Sequence, residues 1–185
     1  INTCTVTHQA DVDNRRFIRK VLGKGRVIVT GCQAATAPET VRAIDPSIEV
    51  VPPASVDEAF PRPLPHVIHA FEGHARAFVK VQDGCDHGCA YCIVPRARGC
   101  PVSRPDSEIV EEINTLAQAG YREVVLTGIN IGLYEGGLAA LIAKILAETA
   151  VPRIRVSSIE PWTFEERLCE VLESPRVCRH LHLPL

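Results

Sequence analysis

Methionine is absent from the 185 residues, tryptophan occurs once, and aromatic side chains make up 5% of the chain. Long hydrophobic runs are missing as well. None approaches the ~18 apolar residues a membrane span requires, and no charged-then-apolar leader precedes a small-residue cleavage site. The expectation is a cytoplasmic chain without a membrane segment. Net charge is scarce too, with 20 basic against 22 acidic side chains. A uniformly basic nucleic-acid binder is thereby excluded, and such a partner would need a local basic face or a region beyond these residues. At 46% hydrophobic and 23% charged, the composition also excludes wholesale disorder. The start at Ile1-Asn2-Thr3-Cys4 and the apolar ending His180-Leu181-His182-Leu183-Pro184-Leu185 suggest a piece of a longer protein.

What the chain does contain is cysteine. Eight are present, well short of the roughly 8–10% that marks a disulfide scaffold. Without a secretory leader, a reducing compartment with thiolates available for metal is the better expectation. Cys85, Cys89 and Cys92 are clustered, Cys4 and Cys32 stand alone, and Cys100, Cys169 and Cys178 suggest no role.

Two α/β segments flank a proline-rich stretch. In the first, Arg26–Thr30 and Ile48–Val51 read as strands. Phe17, Ile18, Val21 and Leu22 share one helical face closed by Gly23, and Pro38 is placed to open a short helix through Ile44. The string Phe60-Pro61-Arg62-Pro63-Leu64-Pro65 cannot continue a helix or a central strand, because each proline removes an amide donor. It sets a domain boundary, with His66–Glu72 completing the crossing. The expected organisation is a partial domain over 1–60, a linker over 61–75 and a second partial domain over 76–185. In the latter, strands at Arg76–Val81, Arg122–Thr127 and Arg153–Ser157 alternate with helices around Ile109–Ala117 and Leu138–Leu146. A further helix is expected from Thr163, where Thr163 and Glu166 have capping-box spacing, and then a final strand. Strand alternating with helix specifies α/β architecture with parallel sheets, and successive βα units open a barrel or a doubly wound sheet.

The segment Asp83-Gly84-Cys85-Asp86-His87-Gly88-Cys89-Ala90-Tyr91-Cys92 holds three thiols spaced Cys-x3-Cys-x2-Cys, on the loop after the first strand of the second segment. Three thiolates hold three corners of a four-iron cluster and leave the fourth iron open. Gly84 and Gly88 are expected to supply the tight turns. Structural zinc, with Cys100 or His87 as a fourth ligand, is the competing reading, although such sites usually bring two paired knuckles. Unliganded core cysteines and an electron-transfer ferredoxin also compete; the ferredoxin repeat ending in Cys-Pro has only a faint echo at Cys100-Pro101.

This cysteine spacing, with an aromatic residue before the last thiol, resembles the radical S-adenosylmethionine (radical SAM) signature. The strings Phe78–Cys85, Ile93–Gly99 and Ser103-Arg104-Pro105 further resemble the methylthiotransferase family, as do Asn2-Thr3-Cys4 and Thr30-Gly31-Cys32. The resemblance implies a partial flavodoxin- or Rossmann-like amino-terminal domain, followed by the first half of a radical SAM partial barrel. It implies that Cys85, Cys89 and Cys92 bind a 4Fe–4S cluster that carries S-adenosylmethionine, with Tyr91 beside the adenine. Cys4 and Cys32 would be two of three ligands of a second, auxiliary 4Fe–4S cluster, the third lying before Ile1. By themselves, lone cysteines are more often buried small hydrophobes.

Within that family, Leu126-Thr127-Gly128-Ile129-Asn130, Arg153–Pro161 and His180–Leu185 resemble most the branch that modifies N6-threonylcarbamoyladenosine beside the tRNA anticodon. The implied partners are tRNA, S-adenosylmethionine and a reductant protein. Gly128, Asn130, Ser157, Ser158 and Glu160 lie where strands pass into loops and can offer groups to the cofactor, with turn chemistry and capping as the plainer role. Arg96, Arg98 and Arg104 can meet phosphate or carboxylate, and a solvated charged loop is the equally weighted reading. His180 and His182 alternate along one strand face, more as polar groups near a pocket than as metal ligands. No residue stands out as an acid or base catalyst. Three readings compete with this one: the isopentenyladenosine branch, the ribosomal-protein aspartate branch, and a zinc-stabilised or electron-transfer module that is not an enzyme.

Overall fold

The computed structural model describes residues 1–59, 68 and 73–184. The proline-rich boundary at Phe60–Pro65 and the crossing at 66–72 lie outside the described residues, Ile68 excepted. Contacts along the chain form two compact units. One joins the amino-terminal segment to Cys85–Cys100; the other holds Pro101–Leu185 and the strands that precede Cys85.

In the first unit, β1 (Asn2–Thr3), β2 (Ile28–Gly31) and β3 (Glu49–Val50) form a parallel sheet in the order β1-β2-β3. Helix α1 (His8–Val21) follows β1. Its amino end is capped by the Thr7 hydroxyl, which accepts the Ala10 N–H at 3.1 Å, as expected of a threonine at that position. Short helices α2 (Cys32–Thr36), α3 (Pro38–Arg42) and α4 (Val56–Ala59) complete the amino-terminal segment. Ile18, Val27, Val29, Val41 and Ile48 make its core, so the periodicity at Phe17–Leu22 marked the helix and Ile18 its buried face. Phe17 itself points outward.

The second unit is built on β4 (Ala77–Lys80), β7 (Glu123–Thr127) and β8 (Arg153–Val156), with β5 (Gln82–Asp83) and β6 (Val102–Ser103) as a separate antiparallel pair. All three main strands run parallel in the order β4-β7-β8. The central strand β7 is buried through four of its five residues, as an apolar run covered on both faces requires. Helices α6 (Asp106–Gln118) and α7 (Leu138–Glu148) set Ile109, Ile113, Leu116, Leu138, Ile142 and Ile145 against Val79, Val124, Leu126 and Ile154. Each of these side chains contributes about 1.5–3 kcal/mol by leaving water. The α5 helix (Val94–Arg98) belongs to the cysteine segment of the first unit.

Two expectations are corrected. The helix expected from Thr163 begins later, as α8 (Arg167–Leu172). The Thr163 hydroxyl instead donates to the Glu160 carbonyl at 2.9 Å, beside the Thr163 N–H that closes a 3-10 turn over Pro161–Thr163, so it caps no helix. The final strand is reduced to two isolated parallel bridges, Ile154 with Val177 and Ser158 with His182. Among the described residues, no helix is long and apolar enough to cross a membrane.

Candidate functional site

In the first unit, strand register decides where two of the lone cysteines lie. Thr3 pairs with Gly31, so Cys4 and Cys32 each follow a paired residue and leave adjacent strands at the same edge. Gly31 has φ +94°, and a Cβ there would collide with the Thr3 carbonyl and the Asn2 side chain. Only glycine lets the two strands come this close immediately before Cys32. Asn14, on α1, ties the turns together: its Nδ2 donates to the Cys4 carbonyl at 2.5 Å and to Gln33 Oε1 at 3.4 Å. Cys32 is buried and opens α2; Cys4 is exposed. Helix α2 packs on α5, which begins two residues after Cys92. All five candidate metal-ligating cysteines therefore fall in one compact unit.

The cysteine segment is itself shaped by hydrogen bonds. The Cys85 N–H donates to the Gly99 carbonyl at 3.0 Å and closes the loop, while the Cys92 N–H donates to the Cys89 carbonyl at 3.0 Å and turns the chain between the last two thiols. The His87 N–H donates to Cys85 Sγ at 3.4 Å. Gly84 (φ +72°) and Gly99 (φ +78°) take conformations that favour glycine. Gly88 does not: it has no positive φ, and a Cβ there would meet open space. The tight turns expected at Gly84 and Gly88 are thus supplied by Gly84 and Gly99.

Cys85, Cys89 and Cys92 are half-buried, and all eight cysteines are free thiols. Among the described residues, no three His, Cys, Asp or Glu side chains converge as ligands of a single ion. A cubane cluster does not need such convergence, because each thiolate binds its own iron corner. Three separated, partly accessible thiols on one short loop, one of them accepting an amide N–H, fit that donor chemistry. Tyr91 is 91% exposed and so is not a packing residue of the core.

In the second unit, the parallel order β4-β7-β8 brings the loops after β7 and β8 to one edge of the sheet. Gly128, Asn130, Ser157 and Glu160 all lie on those two loops. Asn130 is buried; its N–H donates to Gln82 Oε1 at 2.9 Å, and its Oδ1 lies 3.4 Å from the Thr163 hydroxyl oxygen. Ser157 is half-buried and bonded through its N–H to the Leu126 carbonyl, and the Glu160 carbonyl accepts the Thr163 N–H. Ser158 Oγ lies 2.7 Å from His182 Nδ1. A Cβ on Gly128 would stand 2.8 Å from the Gln82 carbonyl oxygen, so this glycine serves close backbone approach.

Arg104 departs from the phosphate-binding expectation. Its Nη1 donates to Glu112 Oε2 at 2.6 Å and to the Lys80 carbonyl at 2.9 Å, and its side chain is 17% exposed. With Glu112 buried, the pair anchors α6 to β4. Arg96 and Arg98 are exposed.

Gln82 is the residue that sequence reasoning missed. Fully buried, its carboxamide uses both ends: Oε1 accepts the N–H groups of Ile129 and Asn130 at 3.2 and 2.9 Å, and Nε2 donates to the carbonyls of Asp83 and Gly84 at 2.8 and 2.7 Å. It joins the chain entering Cys85 to the loop after β7. The alternation of β4 gave no warning, since Val81 and Gln82 are both buried. Asn14 was likewise silent, being one polar residue on a polar helix.

The sequence model of the radical SAM superfamily matches residues 79–185. Over its whole length, the chain is 39% identical to a threonylcarbamoyladenosine tRNA methylthiotransferase MtaB of Chlamydia pneumoniae, covering 47% of that protein. It is 32% identical to a tRNA-2-methylthio-N(6)-dimethylallyladenosine synthase of Anaeromyxobacter sp. (strain K), again over the whole chain and covering 46% of that protein. The chain thus spans about half the length of these curated relatives. Among solved structures, it resembles the radical S-adenosylmethionine methyltransferase TsrM of Kitasatospora setae, with a TM-score of 0.61 and 18% identity over 97% of this chain and 47% of that one. That likeness concerns the fold.

Proposed function

The chain belongs to the radical SAM superfamily, and from that premise we propose that it is part of a tRNA methylthiotransferase acting at carbon 2 of N6-threonylcarbamoyladenosine beside the anticodon. The observation that carries the reading is the Cys85–Cys92 loop, three thiols held half-buried by the Cys85–Gly99 and Cys92–Cys89 hydrogen bonds. Similarity over the full chain to a threonylcarbamoyladenosine enzyme supports the substrate.

Cys85, Cys89 and Cys92 would hold a 4Fe–4S cluster with S-adenosylmethionine; Cys4 and Cys32, with a ligand outside residues 1–185, would hold an auxiliary 4Fe–4S cluster. Bound there, these groups supply one-electron chemistry that removes hydrogen from the target carbon and delivers sulfur to it. The protein's own contribution is positional. The His87 N–H offsets negative charge on the Cys85 sulfur. Gln82 fixes the chain direction into Cys85. Tyr91 would serve the cofactor from the cysteine loop; in the second unit Asn130, Ser157 and Glu160 are separate candidates for cofactor contact, while Gly128 packs against the Gln82 carbonyl. Residues 1–60 belong to the auxiliary-cluster domain and 76–185 to the radical SAM core. The working partners are tRNA, S-adenosylmethionine and a reductant protein, in the cytoplasm.

A second reading, the dimethylallyladenosine branch, is favoured by the 32% identity to such an enzyme. Nucleoside analysis of tRNA from cells lacking the gene separates the two. Loss of the methylthio form of threonylcarbamoyladenosine supports the first reading, and loss of the dimethylallyl product alone supports the second. If Cys89→Ala in the full-length protein leaves reductive S-adenosylmethionine cleavage unchanged, both readings fail.

A further inference from the structure

We propose that the outer face of α1 and the turn after it form a docking surface for the phosphate backbone of an RNA. Six basic side chains, Arg15, Arg16, Arg19, Lys20, Lys24 and Arg26, fall within residues 14–38, which contain no acidic residue, although the whole chain carries a net charge of −2. Helical geometry places four of them together. At 100° per residue, Arg15 and Arg19 lie within about 40° of each other, and Arg16 and Lys20 extend the same face to about 140°. Ile18, on the opposite side, is buried in the core, and Asn14 faces the Cys4 turn. The packing of the helix therefore turns this face outward, with Arg16, Arg19 and Lys20 exposed and Arg15 half-buried.

Among the described residues, Arg15, Arg19, Lys20 and Lys24 have no carboxylate within ion-pair distance. Arg16 has only a 3.8 Å contact with the exposed Asp13, and Arg26 pairs with Glu49. Like charges at i,i+4 spacing repel one another, and a bound polyanion relieves that repulsion. Phe17, 52% exposed on the flank of the stripe, adds an aromatic surface on which a base can stack. The 14-residue helix is about 21 Å long, enough to follow several consecutive phosphates. Charge complementarity over that length selects a nucleic-acid backbone over a small anion.

The inference deepens the tRNA reading and rests on it. Its test uses the full-length protein and an anticodon stem-loop RNA, with binding followed by fluorescence anisotropy across a salt series. The variant R15Q/R19Q/K20Q/K24Q is compared with wild type and with a control, R167Q/R179Q, that removes exposed charge elsewhere; thermal melting confirms folding of both. The expected result is at least tenfold weaker binding by the α1 variant and a salt slope shallower by roughly 3, at about 0.7–0.9 for each of four lost phosphate contacts, with the control unchanged. Equal affinity and slope for wild type and the α1 variant overturn the docking surface, and so does an equal loss in the control. A wild-type protein that binds no RNA, by contrast, sinks the tRNA reading itself.

Discussion

Gln82 shows how one side chain can organise two loops. Its buried carboxamide satisfies two N–H groups and two carbonyls, and two of these bonds, from the Asn130 N–H and to the Gly84 carbonyl, are themselves buried. Gln82→Ala strands all four. Since each buried polar group left unpaired costs about 1–3 kcal/mol, the expected loss of stability is at least about 2 kcal/mol in denaturant unfolding. Gln82→Glu keeps the acceptor and loses the donor, so it should be defective as well, and the iron retained after reconstitution should fall in both variants. Unchanged unfolding midpoints and iron content would show that the loops hold their positions without it. Arg104 teaches the reverse lesson. As an arginine beside a cysteine loop it has the chemistry to bind phosphate, yet its bonds to Glu112 and the Lys80 carbonyl commit it to the scaffold.

Among the elements, the pair β7–β8 carries an electrostatic clasp. Glu123, on β7, receives Arg155 Nε at 2.7 Å and Arg153 Nη1 at 3.5 Å from β8, with Arg76 at 3.7 Å. Burial pushes its carboxyl up, but hydrogen bonds and charge from these guanidiniums outweigh that and leave its pKa below the ordinary value. A depressed carboxylate pKa adds stability that is complete above the unfolded value, about 4.3, and is lost as pH falls through the lower folded value. Thermal melts should therefore show a midpoint that drops below about pH 4.3 in the wild-type protein. In Glu123→Gln the drop should be smaller, from a lower plateau at neutral pH; an identical acid profile would remove the clasp from the account. The elements themselves were largely legible, because apolar residues at helical spacing or in continuous runs must be buried, and α1, α6, α7 and β7 obey that rule. Elements fixed by tertiary bonds were not. Thr163 has a cap's spacing but donates to Glu160, and β5–β6 is too short to carry a periodic pattern.

For the whole molecule, the legible part of the candidate site was its ligand chemistry. Cysteine spacing is local, so Cys85, Cys89 and Cys92 could be read directly; Cys4 and Cys32 required strand register to become neighbours, and no single-sequence pattern encodes that register. The grouping of both sets in one compact unit leads to a prediction about metal content. If the two sets serve separate clusters, the reconstituted full-length protein should hold about eight irons, four per cubane. Cys4→Ala or Cys32→Ala should remove about four of them, leave reductive S-adenosylmethionine cleavage intact and abolish methylthio product. Cys85→Ala should remove the other half and stop cleavage as well. Cleavage is the discriminating readout, because general misfolding abolishes it in every variant, whereas separate sites lose it only when the Cys85–Cys92 loop is broken. A single pool of about four irons, lost equally from either set, would mean that the five cysteines serve one cluster, and the division of labour between the two sets would have to be abandoned.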